Sequence, residues 1–358
     1  MCLVDAPGPR HTGPVDGVGA VVTTGIYCVP SCAARPRPEN VRAFPTAAGA
    51  EVAGFRACHR CRPYRGEQQA PGAASPLVCR AVDLIASGGL DEGGEAALAA
   101  RLGMSARHLR RVFRDQVGAT PDQLARSRRA HFARRLLDDT DLSITDVAFA
   151  AGFGSVRQFN REMAGTFHAP PRELRGRRRR ADRLVADGGL ALRLPLSPAV
   201  DLDRRLQHLA ATAIPGVSSG TAGGYRRTVR HDGDPGVIEI CGGGRGHALL
   251  VVHLPRLEGL IHLVGSVRGL VEGRADGFEE YVRAVVARRV DPADVQGAVG
   301  HIAERYGAPV PGLLPLGLSR TFPEPDDLGA DGLDRAVAEA VRCRAVRSAD
   351  EGQRDVRR

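Results

Sequence analysis

Tryptophan is absent from this 358-residue chain, and aromatic residues make up only 4% of it. A chain so poor in rings offers few flat walls on which an extruded nucleobase could stack. Long apolar runs are missing as well. None reaches the ~18 residues that a membrane helix requires. Met1 is followed by Cys2, Leu3, Val4 and Asp5, not by the basic segment and apolar core of a secretory leader. These absences point to a reducing, cytoplasmic setting, where paired cysteines hold a metal or do redox chemistry. The length allows two to four domains. The basic charge comes from arginine, giving a formal net charge of +9 and a pI near 9.6. Arginine suits bidentate contacts to phosphates and bases. An excess of this sign favours nucleic acid as a partner, a solvated basic surface being the alternative.

Four of the eight cysteines are grouped. Cys28 and Cys32 form C-x3-C, 25 residues intervene, and Cys58 and Cys61 form C-x2-C. Two close thiolate pairs are the donor set of a tetrahedral Zn²⁺ site, with each short spacing letting one turn present two sulfurs about 2.3 Å from one metal. Two disulfides, or two pairs of ordinary thiols, are the competing readings. Cys2, Cys79, Cys241 and Cys343 have no partner spacing.

The stretch from Asp16 to Pro63, with TTGIYC, PSC, Arg35, ENV, FPTAAGAEVAGFR and a C-x2-C followed by RP, resembles the zinc domain of the Ada family of DNA alkylation-repair proteins. The resemblance implies that Cys28 is both a zinc ligand and the acceptor of a methyl group from a DNA methylphosphotriester, and that Arg35 lies on the DNA side. The chemistry is consistent: a thiolate attacks methyl carbon, and a bound divalent metal keeps the sulfur deprotonated. Four thiolates on Zn²⁺ carry a formal −2, and methylation reduces this to −1. Removing one charge about 8 Å from a phosphate, at an effective dielectric near 20, is worth on the order of 2 kcal/mol. Repair would thereby tighten DNA binding. Two positions where the family usually has arginine are Val22 and Val29 here, and the N-terminal text differs.

From Leu77 the apolar pattern becomes helical. In LAARLGMSARHLRRVF, Leu98 and Leu102 face inward, Gly103 turns the chain and Ser105 caps a helix whose buried stripe is Leu109, Val112 and Phe113. Arg107, Arg110 and Arg111 lie opposite. In ITDVAFAAGFGSVRQFNREM, Ile144 and Val147 face inward, Gly152 turns and Ser155 caps. Val156, Phe159, Met163 and Phe167 then form the stripe, and Arg157, Gln158, Asn160 and Arg161 face out. Helix-turn-helix units present such residues in the major groove, where Arg reads guanine and Gln or Asn reads adenine. The pair resembles the AraC-type DNA-binding domain. His168-Ala169-Pro170-Pro171 departs from that family's Gly-x-Ser-Pro.

Beyond a basic GRRRR stretch, the runs ALRLPL, YRRTVRH, GVIEIC and HALLVVHL read as strands. With ALRLPLSPAVDLDRRLQHLAATAIPGV they resemble the N-terminal β-rich domain of bacterial alkyladenine DNA glycosylases. DGFEEYVRAVVARRVDPADVQGAVGHIAERYG resembles the first helices of the same enzymes. The helix-hairpin-helix and the catalytic Asp that follows it have no counterpart in this sequence, since Asp350 and Asp355 lie in a charged tail. Arg226, Arg227 and Arg230 are candidate sites of nonspecific DNA affinity.

These readings specify a multidomain α+β chain. A small α/β zinc domain (1–65) and a linker (66–76) precede an all-α double helix-turn-helix domain (77–175) and a basic hinge (176–189). A glycosylase-like β-rich region (190–272), a truncated helical region (273–347) and a disordered tail (348–358) follow. The implied function is a DNA-damage-responsive regulator, cytoplasmic and nucleoid-associated. Its cofactor is Zn²⁺. Its partners are double-stranded DNA with methylated backbone phosphotriesters, a promoter sequence and RNA polymerase, with no membrane. Cys28 would act once, as a single-turnover methyltransferase. The rivals are an active 3-methyladenine glycosylase, a DNA-binding regulator whose zinc is purely structural, and a decayed gene product that folds only in part.

Overall fold

The computed structural model describes residues 17–66, 71–91, 93–244, 246–274, 277–329 and 332–341. Cys2, Cys343, Asp350 and Asp355 lie outside them. The chain divides into two units, one of residues 1–184 with 257–266, the other of residues 185–256 with 267–358. Among the described residues, no helix is long and apolar enough to cross a membrane.

The first unit begins with a four-stranded sheet in the order β3-β1-β2-β4. Strand β1 (Val18–Val21) pairs antiparallel with β2 (Ile26–Cys28) and β3 (Val41–Phe44), and β2 runs parallel to β4 (Arg56–Ala57). Gly25, with φ +64°, makes the tight β1–β2 turn that a side chain would strain. Helix α1 (Ala47–Val52) starts at Thr46, whose hydroxyl accepts from the Gly49 N–H.

Seven helices follow. They are α2 (Pro76–Ala86), α3 (Gly94–Arg101), α4 (Ala106–Val117), α5 (Pro121–Asp139), α6 (Ile144–Ala150), α7 (Val156–Phe167) and α8 (Pro171–Gly176). Each boundary has a local cause. Ser105 and Ser155 accept from the His108 and Gln158 N–H groups and start α4 and α7. Thr120 with Gln123, and Ser143 with Asp146, form reciprocal capping boxes for α5 and α6. Gly103 and Gly152, both at positive φ, turn the chain inside the two helix pairs. One core gathers Val78, Ile85, Leu98, Leu109, Phe113 and Leu124. Leu136, Val147, Phe159 and Met163 are fully buried around the second helix pair. The 19-residue α5 joins the halves and is buried on most sides.

His168 ends α7 in the left-handed region at φ +54°, its N–H bonding to the Ala164 carbonyl. The turn that the family usually makes with Gly is thus kept by a residue that pays a steric cost there.

The second unit is built on an antiparallel sheet in the order β5-β9-β8-β7-β6. Its strands are β5 (Leu190–Pro195), β6 (Ser218–Thr221), β7 (Gly224–His231), β8 (Asp234–Gly242) and β9 (His247–His253). The four sequence runs read as strands coincide with β5, β7, β8 and β9. Two helices stand in this stretch where the alternation suggested none: α9 (Leu202–Ala211) and α10 (Leu260–Glu272). Leu206 and Leu209 are the buried residues of α9. Helices α11 (Phe278–Ala287) and α12 (Val295–Tyr306) pack through Val282, Val286, Val299 and Ile302.

Candidate metal centre and nucleic-acid interface

Cys28 closes β2, and Cys32 sits in the turn after it, its N–H bonded to the Val29 carbonyl at 3.0 Å. The parallel β2–β4 pairing brings the second cysteine pair alongside, with the Cys58 N–H donating to the Tyr27 carbonyl at 3.0 Å. All four Sγ atoms lie within 4.8 Å of one another, with Cys28 and Cys32 buried and Cys58 and Cys61 half-buried. All four are free thiols. A tetrahedron of sulfurs about 2.3 Å from zinc has edges of about 3.8 Å, so the set needs only a small contraction to hold the ion.

The electrostatics of the sulfurs agree with that fit. Hydrogen bonding from Cys28, and then from the Val29 N–H, Cys32 and Cys58, outweighs burial and pulls the Cys61 thiol down to about 5. The same bond to Cys61, with burial and the charges of Cys61 and Cys58, pushes Cys28 up, and burial leads the rise at Cys32. One sulfur can ionise only by holding back its neighbours. A divalent cation removes that conflict. Cys28, Cys32, Cys58 and Cys61 together offer the four-sulfur donor set that Zn²⁺ takes. The Arg60 N–H points to Cys58 Sγ at 3.4 Å, and Arg35 donates to the Cys32 carbonyl at 3.1 Å while remaining exposed.

The loop carrying Cys58 and Cys61 also carries His59 and Arg60, both exposed. His59 Nε2 accepts from Arg177 Nη1 at 3.2 Å. Burial, followed by the charges of Arg56, Arg177, Arg134 and Arg62, lowers the His59 pKa. Val22 is 60% exposed and Val29 half-buried, and neither supplies a charge.

On α4, Arg107, Arg110 and Arg111 are exposed. Arg110 is ion-paired with Glu95, and Arg111 donates to His108 at 3.1 Å. On α7, Arg157, Asn160 and Arg161 are exposed and Gln158 half-exposed, clustered in the first turns after the Ser155 cap. That is the end of a recognition helix that meets base edges. Arg226, Arg227 and Arg230, expected to add nonspecific affinity, do not form an unpaired basic patch. Arg226 pairs with Glu239 at 2.8 Å, Arg227 with Glu279 at 2.6 Å and Arg230 with Asp327 at 2.9 Å.

Sequence reasoning missed a set of buried polar residues that seat the zinc domain on α5. Tyr27 donates to Glu51 at 2.6 Å, and the same carboxylate oxygen lies 2.6 Å from His131 of α5. Asp138, fully buried, accepts from the Tyr64 hydroxyl at 3.0 Å, from Arg65 at 3.2 Å and from Arg134 at 2.5 Å. Asp182 lies 2.7 Å from Arg62 and 3.3 Å from Arg65. The Tyr64 ring stacks edge-on against Phe167 of α7. Asp182 thus ties the residues just after the GRRRR segment to the zinc domain. The adjacent Asp138 and Asp139 on an otherwise buried helical stretch were the available signal.

Three family models match the chain: the metal binding domain of Ada over residues 15–64, a helix-turn-helix domain over 98–177, and the AlkA N-terminal domain over 191–298. The chain is similar to the probable bifunctional transcriptional activator/DNA repair enzyme AlkA of Mycobacterium tuberculosis (strain CDC 1551 / Oshkosh). The two are 37% identical over 349 residues, 87% of this chain and 69% of the relative. It is 34% identical over 160 residues to the bifunctional transcriptional activator/DNA repair enzyme Ada of Escherichia coli (strain K12), 44% of each chain. The corresponding AdaA of Bacillus subtilis (strain 168) is 33% identical over 141 residues, 39% of this chain and 65% of that one.

Proposed function

The chain belongs to the family of bifunctional transcriptional activators and DNA repair enzymes represented by the mycobacterial relative, and on that premise we propose that Cys28 is the residue at which damage is both repaired and sensed. The protein is a DNA-binding regulator of the alkylation response. Its Cys28 thiolate attacks the methyl carbon of a methylphosphotriester. The S–C bond forms as the C–O bond breaks, and the bond's electrons pass to the phosphate oxygen, leaving an ordinary anionic phosphodiester. Cys28 ends as an S-methyl thioether and acts once. When bound, Zn²⁺ holds the sulfurs deprotonated at neutral pH.

What supports the reading is the four-sulfur cluster with Cys28 at the end of β2, packed in one unit with both helix-turn-helix pairs. In this reading the zinc domain reaches residue 65, the DNA-binding domain spans 77–175 and the glycosylase-derived part spans 190–347. The methylated phosphotriester, a promoter and RNA polymerase are its partners in the cytoplasm, at the nucleoid. Base excision is not among the activities of these residues, because no helix-hairpin-helix sequence with its downstream Asp occurs among them. Extrusion of a base costs a few kcal/mol that such contacts must offset, and the developing sugar cation needs a carboxylate.

The test is to load the full chain with zinc, incubate it with DNA carrying methylphosphotriesters, and measure operator binding before and after. Affinity should rise only after exposure to methylated DNA, and Cys28→Ser should abolish the rise. Equal affinity before and after would leave Cys28 a structural ligand.

A further inference from the structure

Several arginines of the second unit are ion-paired: besides the three pairs above, Arg256 pairs with Asp234 at 2.7 Å and Arg289 with Asp334 at 3.1 Å. Around the cysteine loop the balance differs. Arg60 is exposed next to a sulfur ligand, and Arg56 is half-buried at the loop's start. Among the described residues neither has an ion-pair partner. Arg177, at the end of α8, reaches the same loop and donates to His59 Nε2. Arginine has only donors, so His59 accepts with this nitrogen and carries its proton on the other. Glu173, one helical turn earlier, is the carboxylate paired with Arg177. Positive charge thus converges from two domains on one exposed edge of the thiolate cluster.

That edge faces a problem posed by the rest of the site. The sulfur cluster repels a phosphate backbone, and Val22 and Val29, on the β1–β2 hairpin and just after Cys28, supply no charge to offset this. We propose that His59 and Arg60 of the zinc domain and Arg177 of the helix-turn-helix domain together form a phosphate-binding site, which holds a DNA strand beside the thiolates. The ligand is a phosphodiester backbone. The inference deepens the methyl-transfer reading and rests on it for its role in repair, although phosphate binding itself stands apart. It follows that the DNA-binding domain supplies a positioning residue for chemistry carried out in another domain. Glu173 tempers the site by holding Arg177 when no phosphate is present.

Two substitutions test this in opposite directions, both in the zinc-loaded full chain on duplex DNA of arbitrary sequence. Arg177→Gln should lower the slope of log affinity against log salt by about 0.9, the loss of one phosphate contact, and slow single-turnover methyl transfer. Glu173→Gln should leave that slope no lower and raise affinity at low salt. Zinc content should stay unchanged in both. If both variants bind and transfer as the parent does, the proposal is overturned. If Arg177→Gln loses zinc, Glu173→Gln alone decides, and no gain in affinity overturns the site. If the parent transfers no methyl group while Arg177→Gln still loses salt dependence, the phosphate site stands and the methyl-transfer reading fails.

Discussion

Arg62 Nη1 lies 2.7 Å from Asp182 Oδ2, joining the residue after the last zinc ligand to the segment beyond the second helix-turn-helix. Both side chains are nearly buried. Arg62 itself stands at φ +50°, a left-handed geometry that the surrounding contacts enforce.

Breaking this pair from one side should be costly. Asp182→Ala takes the closest carboxylate from a buried guanidinium, and such losses run to about 3–5 kcal/mol; Asp138, 4.0 Å from Arg62, stays and sets the lower end of that range here. Burial works to raise the Asp182 pKa, but the Arg62 bond, the Arg179 N–H and the charges of Arg65 and Arg62 outweigh it and lower the pKa. A carboxylate depressed in the folded state stabilises fully above its unfolded pKa, about 3.9. That contribution is lost as pH falls through the folded value. Denaturant titrations at pH 7 and below pH 4 should show parent and variant converging in acid. A constant difference at every pH would exclude the ion pair as the cause.

These contacts mark the limit of what the sequence discloses. The cysteine spacing names the metal ligands because each pair acts through one short turn. The two helix pairs are visible because caps, turn glycines and apolar stripes repeat within about twenty residues. Arg62 and Asp182 are 120 residues apart, and Tyr64 and Asp138 are 74 apart. Nothing periodic ties such partners together before the chain folds. Helix α9 was legible in principle from Leu202, Leu206 and Leu209 at helical spacing, but the strand runs around it dominated the reading. Helix α10, apolar along much of its length, carries no clean period.

In the second unit, Arg227→Met should destabilise by about 3–5 kcal/mol, because it leaves Glu279 buried without its closest partner. Burial works against ionisation of Glu279, while Arg227 and Arg283 hold its pKa below the usual carboxylate range. DNA affinity of the folded variant should be unchanged. A loss of affinity with stability retained would restore Arg227 as a DNA contact.

Operator recognition should separate from backbone affinity on α7. Gln158→Ala should relax the preference at one base pair by about 1–3 kcal/mol and leave the salt slope intact. Arg161→Ala should lower that slope by about 0.9 if Arg161 binds phosphate. The check is a binding titration on single-base operator variants at several salt concentrations. Uniform weakening by Gln158→Ala across all variants would remove it from base readout.

His168→Gly should raise stability by about 0.5–1 kcal/mol, since relief of the left-handed strain outweighs the added freedom of the unfolded chain. Thermal melting of parent and variant reads this directly. A lower melting temperature would mean that the His168 side chain makes a contact worth more than its strain.

The most direct measurement is the mass of the zinc-loaded chain after mixing with DNA that carries methylphosphotriesters, followed by peptide mapping. The expected result is a gain of one CH₂ unit per chain, located on Cys28 and absent from Cys28→Ser. A gain on Cys32, Cys58 or Cys61 would contradict the assignment of the acceptor, and no gain on any cysteine would contradict methyl transfer itself.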